Sequence, residues 1–180
     1  ILGLDKNESE KVHIAAHLHD IGKIGIPDNI LKKPAGLTTE EYLLMKEHVI
    51  KGAEILKNFT HIENVADGAL YHHERFDGSG YPRGIKGSVM NTKQAILQIA
   101  ELVVNLSSDK PYRKAHSKEE IVKELNDGIV SGKFDGIVTD TFLKYYDEIM
   151  EKAMEKAASA LVLYQKLQRN SVQVYKNFTK

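Results

Sequence analysis

Apolar residues recur at intervals of three and four along most of this chain, which is the spacing of an amphipathic helix. The clearest short segment spans 92–107, where the apolar positions are Ala95, Ile96, Ile99, Ala100, Val103 and Leu106. A longer one runs from Asp140 to about Arg169. Strand-like alternation never extends over more than a few residues. The pattern therefore predicts an all-α protein with a long C-terminal helix.

Breakers divide this pattern into separate helices. The first helix is predicted over Glu8–His19 and should end near Ile21, because the glycine- and proline-containing stretch I-G-K-I-G-I-P-D follows. A later helix is predicted from about Ile62 to His73. It should stop before the turn at Asp77–Gly80.

Capping boxes mark two further helix starts. Thr38 is followed three residues later by Glu41, and Ser117 by Glu120. The helical pattern that begins at Thr38 continues without an obvious breaker to Leu56. We therefore expect one helix over that stretch and another after Ser117.

Composition excludes several classes of protein. The 180 residues, 42% of them hydrophobic, are enough for one domain with a helical appendage. Basic and acidic residues balance at 25 each, so no overall basic field favours DNA binding. The chain has no cysteine, which excludes disulfides and thiolate metal sites. No apolar run approaches the ~20 residues of a membrane span, and we expect a cytoplasmic location.

Imidazole and carboxylate groups cluster at the ends or inner faces of the predicted helices. They are His19, Asp20, His48, His72, His73 and Glu101. A lone histidine on an apolar helix face is more often a hydrogen-bonded core residue than a ligand. So many ligand-type residues on separate helices are harder to explain in that way. In the absence of thiolates, they are typical ligands of Zn, Fe, Mn or Ni.

The adjacent pair His72-His73 indicates more than one metal ion. Neighbours on a helix point about 100° apart, so two adjacent imidazoles cannot easily serve one small target. Two ions about 3.5–4 Å apart are used in phosphoester hydrolysis. Asp20 has two carboxylate oxygens and could bridge such a pair.

Three motifs resemble the HD-GYP family. They are H-D-I-G-K-I-G-I-P-D (19–28), H-H-E-R-F-D-G-S-G-Y-P-R-G (72–84) and S-D-K-P-Y-R-K-A (108–115). The resemblance extends from about Leu4 to Leu143. This family is a branch of the HD phosphohydrolases that degrades the bacterial second messenger cyclic di-GMP. The resemblance implies an HD-type helical bundle and hydrolysis of cyclic di-GMP to the linear dinucleotide and then to GMP.

The resemblance also implies roles for individual residues. Asp20 and Lys23 would be catalytic, with Asp20 bridging the metals. The implied metal ligands are His19, Asp20, His48, His72, His73 and Glu101. The implied substrate-binding residues are Lys23, Tyr81, Lys110 and Arg113. Two or three divalent ions are expected, Fe or Mn in the first place, with Zn or Ni as alternatives.

Two departures from the family pattern leave alternatives open. The chain reads A-E-L-V-V-N-L over 100–106, so Glu101 replaces a ligating Asp and Val104 replaces a second Asp near the substrate. An upstream ligand-bearing helix is also expected before residue 1. A degenerate domain that binds cyclic di-GMP or a partner protein without turnover is therefore the alternative. Hydrolysis of a different cyclic dinucleotide is a third interpretation.

The domain organisation is expected to have two parts. Residues 1–145 would form the N-terminally truncated HD-GYP domain, and residues 146–180 a helix that packs on the domain or on a partner. A sensory or receiver domain is expected upstream in the full-length chain. The apolar stripe of the last helix is the only indication of a homodimer.

Overall fold

The computed structural model describes residues 2–59, 65–87, 89–109 and 113–178, with side chains described as far as residue 168. Within these ranges the regular structure is helical and contains no strand. One isolated β-bridge joins Asp77 to Lys86. The prediction of an all-α fold with a long C-terminal helix is confirmed.

Nine α-helices and one 3-10 helix follow one another in the described parts of the chain. They are α1 (Lys6–Leu18), the 3-10 helix (Ile21–Gly25), α2 (Asp28–Leu31), α3 (Thr39–Lys46), α4 (His48–Leu56), α5 (Val65–Tyr71), α6 (Thr92–Ser107), α7 (Lys118–Val130), α8 (Gly136–Lys144) and α9 (Tyr146–Phe178). The chain divides into two compact units, Ile1–Thr141 and Phe142–Lys180.

Side-chain caps fix several helix starts. The capping boxes predicted at Thr38 and Ser117 are both present, with each hydroxyl oxygen accepting the backbone N–H three residues later. Asp5 before α1 and Asn91 before α6 form two more capping boxes that the pattern did not single out. These caps satisfy backbone N–H groups that the first helical turn leaves without partners.

The helix boundaries differ from the predicted ones at two functional positions. The stretch after Thr38 does not form one helix, because Glu47 ends α3 and α4 begins at His48. The helix predicted to reach His73 ends at Tyr71, so His72 and His73 lie in the following turn. The N-terminal part of that predicted helix lies outside the described residues.

The 3-10 helix packs against α4 through glycine. Gly22 is buried, and a Cβ atom there would lie 1.9 Å from the His48 carbonyl oxygen and 2.4 Å from the Gly52 nitrogen. Only a residue without a side chain permits this approach. The contact places Asp20, just before the 3-10 helix, beside His48 at the start of α4.

Helices α1, α4, α5 and α6 form the framework around this contact. Helix α5 packs against α1, α4 and α6. Val49 of α4, Val65 and Ala69 of α5, and Ile99 of α6 are almost completely buried between them. The ligand-type side chains therefore project from elements that the core holds in fixed positions.

The second unit contains α9, a helix of 33 residues. Large apolar side chains along it are exposed, including Met154 and Tyr164. Packing of segment 146–180 on the domain or on a partner stays a prediction. Within the described residues, no helix combines the length and the apolar composition that crossing a membrane requires.

Candidate metal centre

Four predicted ligands meet where α1, the 3-10 helix, α4 and α5 come together. Asp20 is the central residue. Its Oδ2 lies 3.4 Å from His19 Nε2, and its Oδ1 lies 3.4 Å from His48 Nε2 and 3.9 Å from His72 Nε2. Imidazoles from three separate parts of the chain therefore surround one carboxylate.

Each of these three imidazoles is oriented by the backbone of the residue three positions earlier. The ring Nδ1 lies close to the backbone carbonyl oxygen three residues earlier, at 2.6 Å for His19, 2.7 Å for His48 and 2.9 Å for His72. A carbonyl oxygen only accepts hydrogen bonds, so Nδ1 must carry the proton and donate it. The neutral ring then presents the Nε2 lone pair. This arrangement, with one ring nitrogen hydrogen-bonded and the other free to ligate, is typical of metal-binding histidines.

The atoms that face one another at the centre are therefore hydrogen-bond acceptors. The Nε2 atoms of His48 and His72 are 3.2 Å apart. Asp20 Oδ1 is buried and has no hydrogen-bond partner among the residues that the structure describes. Lone pairs and carboxylate charge brought so close together repel one another unless a cation lies between them. The donor set fits a divalent metal ion.

His73 and Glu101 extend the cluster. Atoms of His48, His72 and His73 lie within 4.8 Å of one another, as do those of His19, His72 and Glu101. His73 Nδ1 is 3.6 Å from Glu101 Oε2. His72 belongs to both groups, but its one free lone pair can serve a single ion. The number of ions and the exact ligand set stay predictions.

Burial keeps the inner imidazoles neutral. It lowers the pKa of His72 to about 4 and that of His73 to about 2, and neighbouring imidazoles act in the same direction. The pKa of His48 is lowered by burial as well. Neutral imidazole is the form that binds metals.

Asp20 and His19 lie side by side at the edge of the cluster. Burial raises the pKa of Asp20, but contacts with His19 and Lys23 lower it overall. Burial likewise opposes protonation of His19, and the Asp20 contact raises its pKa. For Glu101, burial raises the pKa.

A cavity of about 410 Å³ opens beside these residues. Its lining includes His19, Asp20, Lys23, Glu101 and Asn105. The volume is within the range of pockets for small organic ligands. The candidate ligands therefore border a space large enough for a substrate group.

Lys23 is the cation closest to Asp20. Its Nζ lies 2.5 Å from Asp20 Oδ2, and 41% of its side chain is exposed to solvent. The partial exposure leaves the ammonium group able to meet an incoming anion.

Tyr81, predicted to bind substrate, lies against the metal ligands. Its ring stacks on His73 with centroids 4.7 Å apart and an interplanar angle of 28°. Lys46 Nζ lies 4.7 Å from the Tyr81 centroid and 4.8 Å from that of Tyr42. Lys46 could not be predicted from the sequence, because its contact depends on the loop that carries Tyr81.

Glu74 organises that loop and was not among the predicted site residues. Its carboxylate is completely buried and accepts the backbone N–H groups of Arg83 at 2.7 Å and Ile85 at 3.0 Å. Gly80 passes so close that a Cβ atom there would lie 2.4 Å from Glu74 Cα. A carboxylate between a histidine pair and a glycine-rich loop could have indicated this role.

Arg113 is not brought to the centre. Arg113 is exposed, and its guanidinium donates to the Asn105 carbonyl oxygen at 2.5 Å. Lys110 lies outside the described residues. Val104 lines the cavity but is 62% exposed.

Comparison with known proteins agrees with this geometry. A family model described as HD domain matches residues 1–138. The chain is 40% identical over 153 residues to a cyclic di-GMP phosphodiesterase of Thermotoga maritima, covering 83% of this chain and 41% of that protein. It is 43% identical over 126 residues to the cyclic di-GMP phosphodiesterase response regulator RpfG of Xanthomonas campestris pv. campestris, covering 69% of this chain and 33% of that protein.

A third relative is named for a different cyclic dinucleotide. The chain is 33% identical over 143 residues to the 3'3'-cGAMP-specific phosphodiesterase 1 of Vibrio cholerae, covering 79% of this chain and 33% of that protein. Each match thus spans less than half of the relative.

The helical fold, the histidine–aspartate cluster and the family match together define an HD domain, and the chain belongs to that family. Within it, the HD-GYP branch predicted from the three motifs is confirmed. HD domains bind divalent metals, and the chain provides histidine and glutamate groups that could hold them.

Proposed function

We propose that this domain is a metal-dependent phosphodiesterase that hydrolyses cyclic di-GMP to the linear dinucleotide and then to GMP. The single observation that supports this most is the set of inward-facing acceptor atoms around Asp20, next to a cavity of about 410 Å³. The names of the first two relatives support the same substrate.

The proposed ligands form two groups. His48, His72 and His73 would hold one ion, and His19 and Glu101 would hold the other. Asp20 would lie between the two groups. Bound divalent ions would polarise the phosphoryl oxygens and make a water molecule nucleophilic at neutral pH. We propose Fe or Mn as the native metal, with Zn or Ni as alternatives.

The chain's own side chains would bind and orient the nucleotide. Lys23 stands beside Asp20 at the cavity, where an ammonium group can hold a phosphate oxygen and stabilise negative charge in the transition state. Tyr81, stacked on His73, offers an aromatic surface at the edge of the metal cluster. Arg113 would reach the nucleotide only after leaving its contact with the Asn105 carbonyl.

The alternative is a domain that binds cyclic di-GMP, or a partner protein, without turnover. The observation that favours it is the pair of substitutions on α6. Glu101 carries an extra methylene relative to the family's Asp, and Val104 presents an apolar surface to the cavity. The cGAMP-specific relative supports a third candidate, a different cyclic dinucleotide as substrate. An upstream sensory or receiver domain and the cytoplasmic location stay predictions.

Metal analysis coupled to turnover separates these functions. The protein would be loaded with Fe, Mn, Zn or Ni, its metal content measured, and cyclic di-GMP and 3'3'-cGAMP offered to each form. We expect metal-dependent formation of the linear dinucleotide from cyclic di-GMP. Metal and nucleotide binding with no product would favour the receptor, and faster cGAMP cleavage would favour the third candidate.

A matched pair of aspartate variants tests the site. Asp20→Asn removes the central carboxylate and should lower both metal content and turnover by at least 10-fold, since neutralising a bridging ligand weakens both groups. Asp28→Asn is the control, because Asp28 also pairs with a lysine at 2.5 Å but is exposed. Equal activity in the two variants would contradict the proposed site.

A further inference from the structure

We propose that α9 is an interaction surface for a second copy of this chain, and that the two α9 helices pair side by side in antiparallel orientation. The proposal concerns the second unit and is independent of the catalytic activity. It rests on an exposed apolar face, a heptad repeat and a charge gradient along the helix.

The exposed face is large and continuous. Met154 is 65% exposed, Leu161 57%, Leu163 58% and Tyr164 58%. Contiguous apolar surface of this kind is uncommon on a protein without a binding partner. The opposite face is mostly polar, with Glu151, Lys152, Glu155, Ser159, Gln165 and Lys166, and Val162 is an apolar exception on it.

The apolar face follows a heptad repeat. Apolar or small residues are spaced alternately by three and four at Met150, Ala153, Ala157, Ala160, Tyr164 and Leu167. Sustained over several heptads, this spacing is typical of a seam that packs against another helix. The residues on either side of the seam, such as Met154, Leu161 and Leu163, are also apolar, which widens the contact. The surface therefore fits a helix of the same kind.

The charge distribution identifies the partner's orientation. Residues 146–155 contain four acidic residues and one basic residue, whereas residues 156–180 contain five basic residues and no acidic one. A parallel pair of identical helices would place like charges beside each other. An antiparallel pair places the acidic part of each helix beside the basic part of the other. Complementary charge selects orientation in helix pairing, so a second copy in antiparallel orientation fits this surface.

The heptad pattern also defines a register. If Ala157 lies opposite Ala160 of the second copy, every seam position meets another seam position. Ala153 then lies opposite Tyr164, so that a small residue faces a large one. Alternation of small and large side chains across a seam allows close packing without voids.

Sedimentation of matched variants tests the surface. The full 180-residue chain is expected to sediment as a dimer over a concentration series. Ala157→Glu combined with Ala160→Glu should weaken dimerisation by about 100-fold, because both new charges would be buried in the seam. Ser159→Glu combined with Gln165→Glu adds the same charge on the polar face and should leave the dimer intact. Both pairs replace exposed side chains, and circular dichroism would verify that each variant keeps its helix content.

Distances between spin labels test the orientation. The chain has no cysteine, so single substitutions at Lys152, Ser159 or Lys166 allow selective labelling. These three positions occupy the same place in successive heptads. In the antiparallel register, labels at 159 lie close together, while labels at 152 or 166 are separated by about 20 Å along the axis. In a parallel pair the three distances would be equal.

Each result bears on the proposal. A dimer that the seam variant loses and the polar-face variant keeps, with the shortest label distance at residue 159, supports it. A monomer at all concentrations would mean that something other than a second copy covers this face, and would overturn it. A seam variant that dimerises like the control, or equal distances at all three positions, would overturn it as well.

Discussion

At the scale of single residues, the site owes its orientation to local backbone contacts. His19, His48 and His72 each donate from Nδ1 to a carbonyl oxygen one turn earlier. The groups that fix each ring are therefore its near neighbours in the chain. For this reason, their positions on the predicted helices, together with the family resemblance, were enough to nominate these residues.

Residues whose role depends on tertiary contact were missed. Glu74 acts through backbone N–H groups that lie 9 and 11 residues away, and Lys46 through a ring in another segment. Neither spacing is a helical or strand period. Hydrophobic patterning therefore carries no information about them.

The first prediction concerns Glu74 and rests on the proposed activity. In Glu74→Gln, the side-chain amide keeps one acceptor oxygen, so one of the two loop N–H groups loses its partner. Tyr81 should be held less firmly, and KM for cyclic di-GMP should rise about 10-fold with a smaller change in kcat, since a hydrogen bond to a charged group contributes about 1.5–3 kcal/mol. Steady-state kinetics with metal-loaded protein would measure this. Glu124→Gln, on the exposed face of α7, is the control, and an unchanged KM in Glu74→Gln would contradict the role.

The second prediction concerns Glu101. Metal–ligand distances tolerate only about 0.2 Å of error, and the extra methylene of Glu displaces the carboxylate by more than that. If this substitution weakens the site, Glu101→Asp should bind metal more tightly and turn over faster. Metal titration and kinetics would show it. A loss of metal in Glu101→Asp would mean that the local backbone is already adapted to the longer side chain.

At the scale of elements, local signals predicted helix starts better than helix ends. The capping boxes at Thr38 and Ser117 were predicted because cap and partner lie three residues apart. The break at Glu47 was not, because the apolar period continues across it. Helix α4 packs against the 3-10 helix, and the local sequence pattern carries no information about that contact.

The third prediction concerns the contact between the 3-10 helix and α4. Gly22→Ala places a methyl group against the backbone of His48 and Gly52, which cannot rotate away as a side chain could. We expect a loss of about 1–3 kcal/mol in the free energy of unfolding, the usual cost of overpacking. Denaturation by urea would measure it. Gly36→Ala is the control, because a Cβ atom there meets nothing within 4 Å; similar midpoints for both variants would argue against the tight contact.

At the scale of the whole molecule, the fold class followed from periodicity and composition together. Helical spacing over most of the chain and the lack of strand alternation indicated a fold in which helices pack on helices. The sequence analysis expected parts over 1–145 and 146–180, and the structure divides into Ile1–Thr141 and Phe142–Lys180. What covers the last helix was harder to anticipate. The apolar stripe from Asp140 onward looks the same whether it lies in a core or on a surface.

The fourth prediction is that divalent metal stabilises the folded domain. The acceptor atoms around Asp20 are brought together only in the native state, so a bound ion favours folding by about 2.7 kcal/mol at 100 times its Kd. For a chain of this size, that raises Tm by about 5–10 °C. Calorimetry before and after chelation would record the shift. An equal shift in Asp20→Asn would mean that the ion binds elsewhere.

Three successive residues connect parts of the site that are otherwise separate. His72 faces the metal cluster, His73 stacks on Tyr81, and Glu74 holds the loop. Thermodynamic reciprocity then applies: if metal occupancy strengthens nucleotide affinity by some factor, the nucleotide must strengthen metal affinity by the same factor. If the proposed function holds, a cell poor in the native metal would contain a domain with weaker affinity for the cyclic dinucleotide.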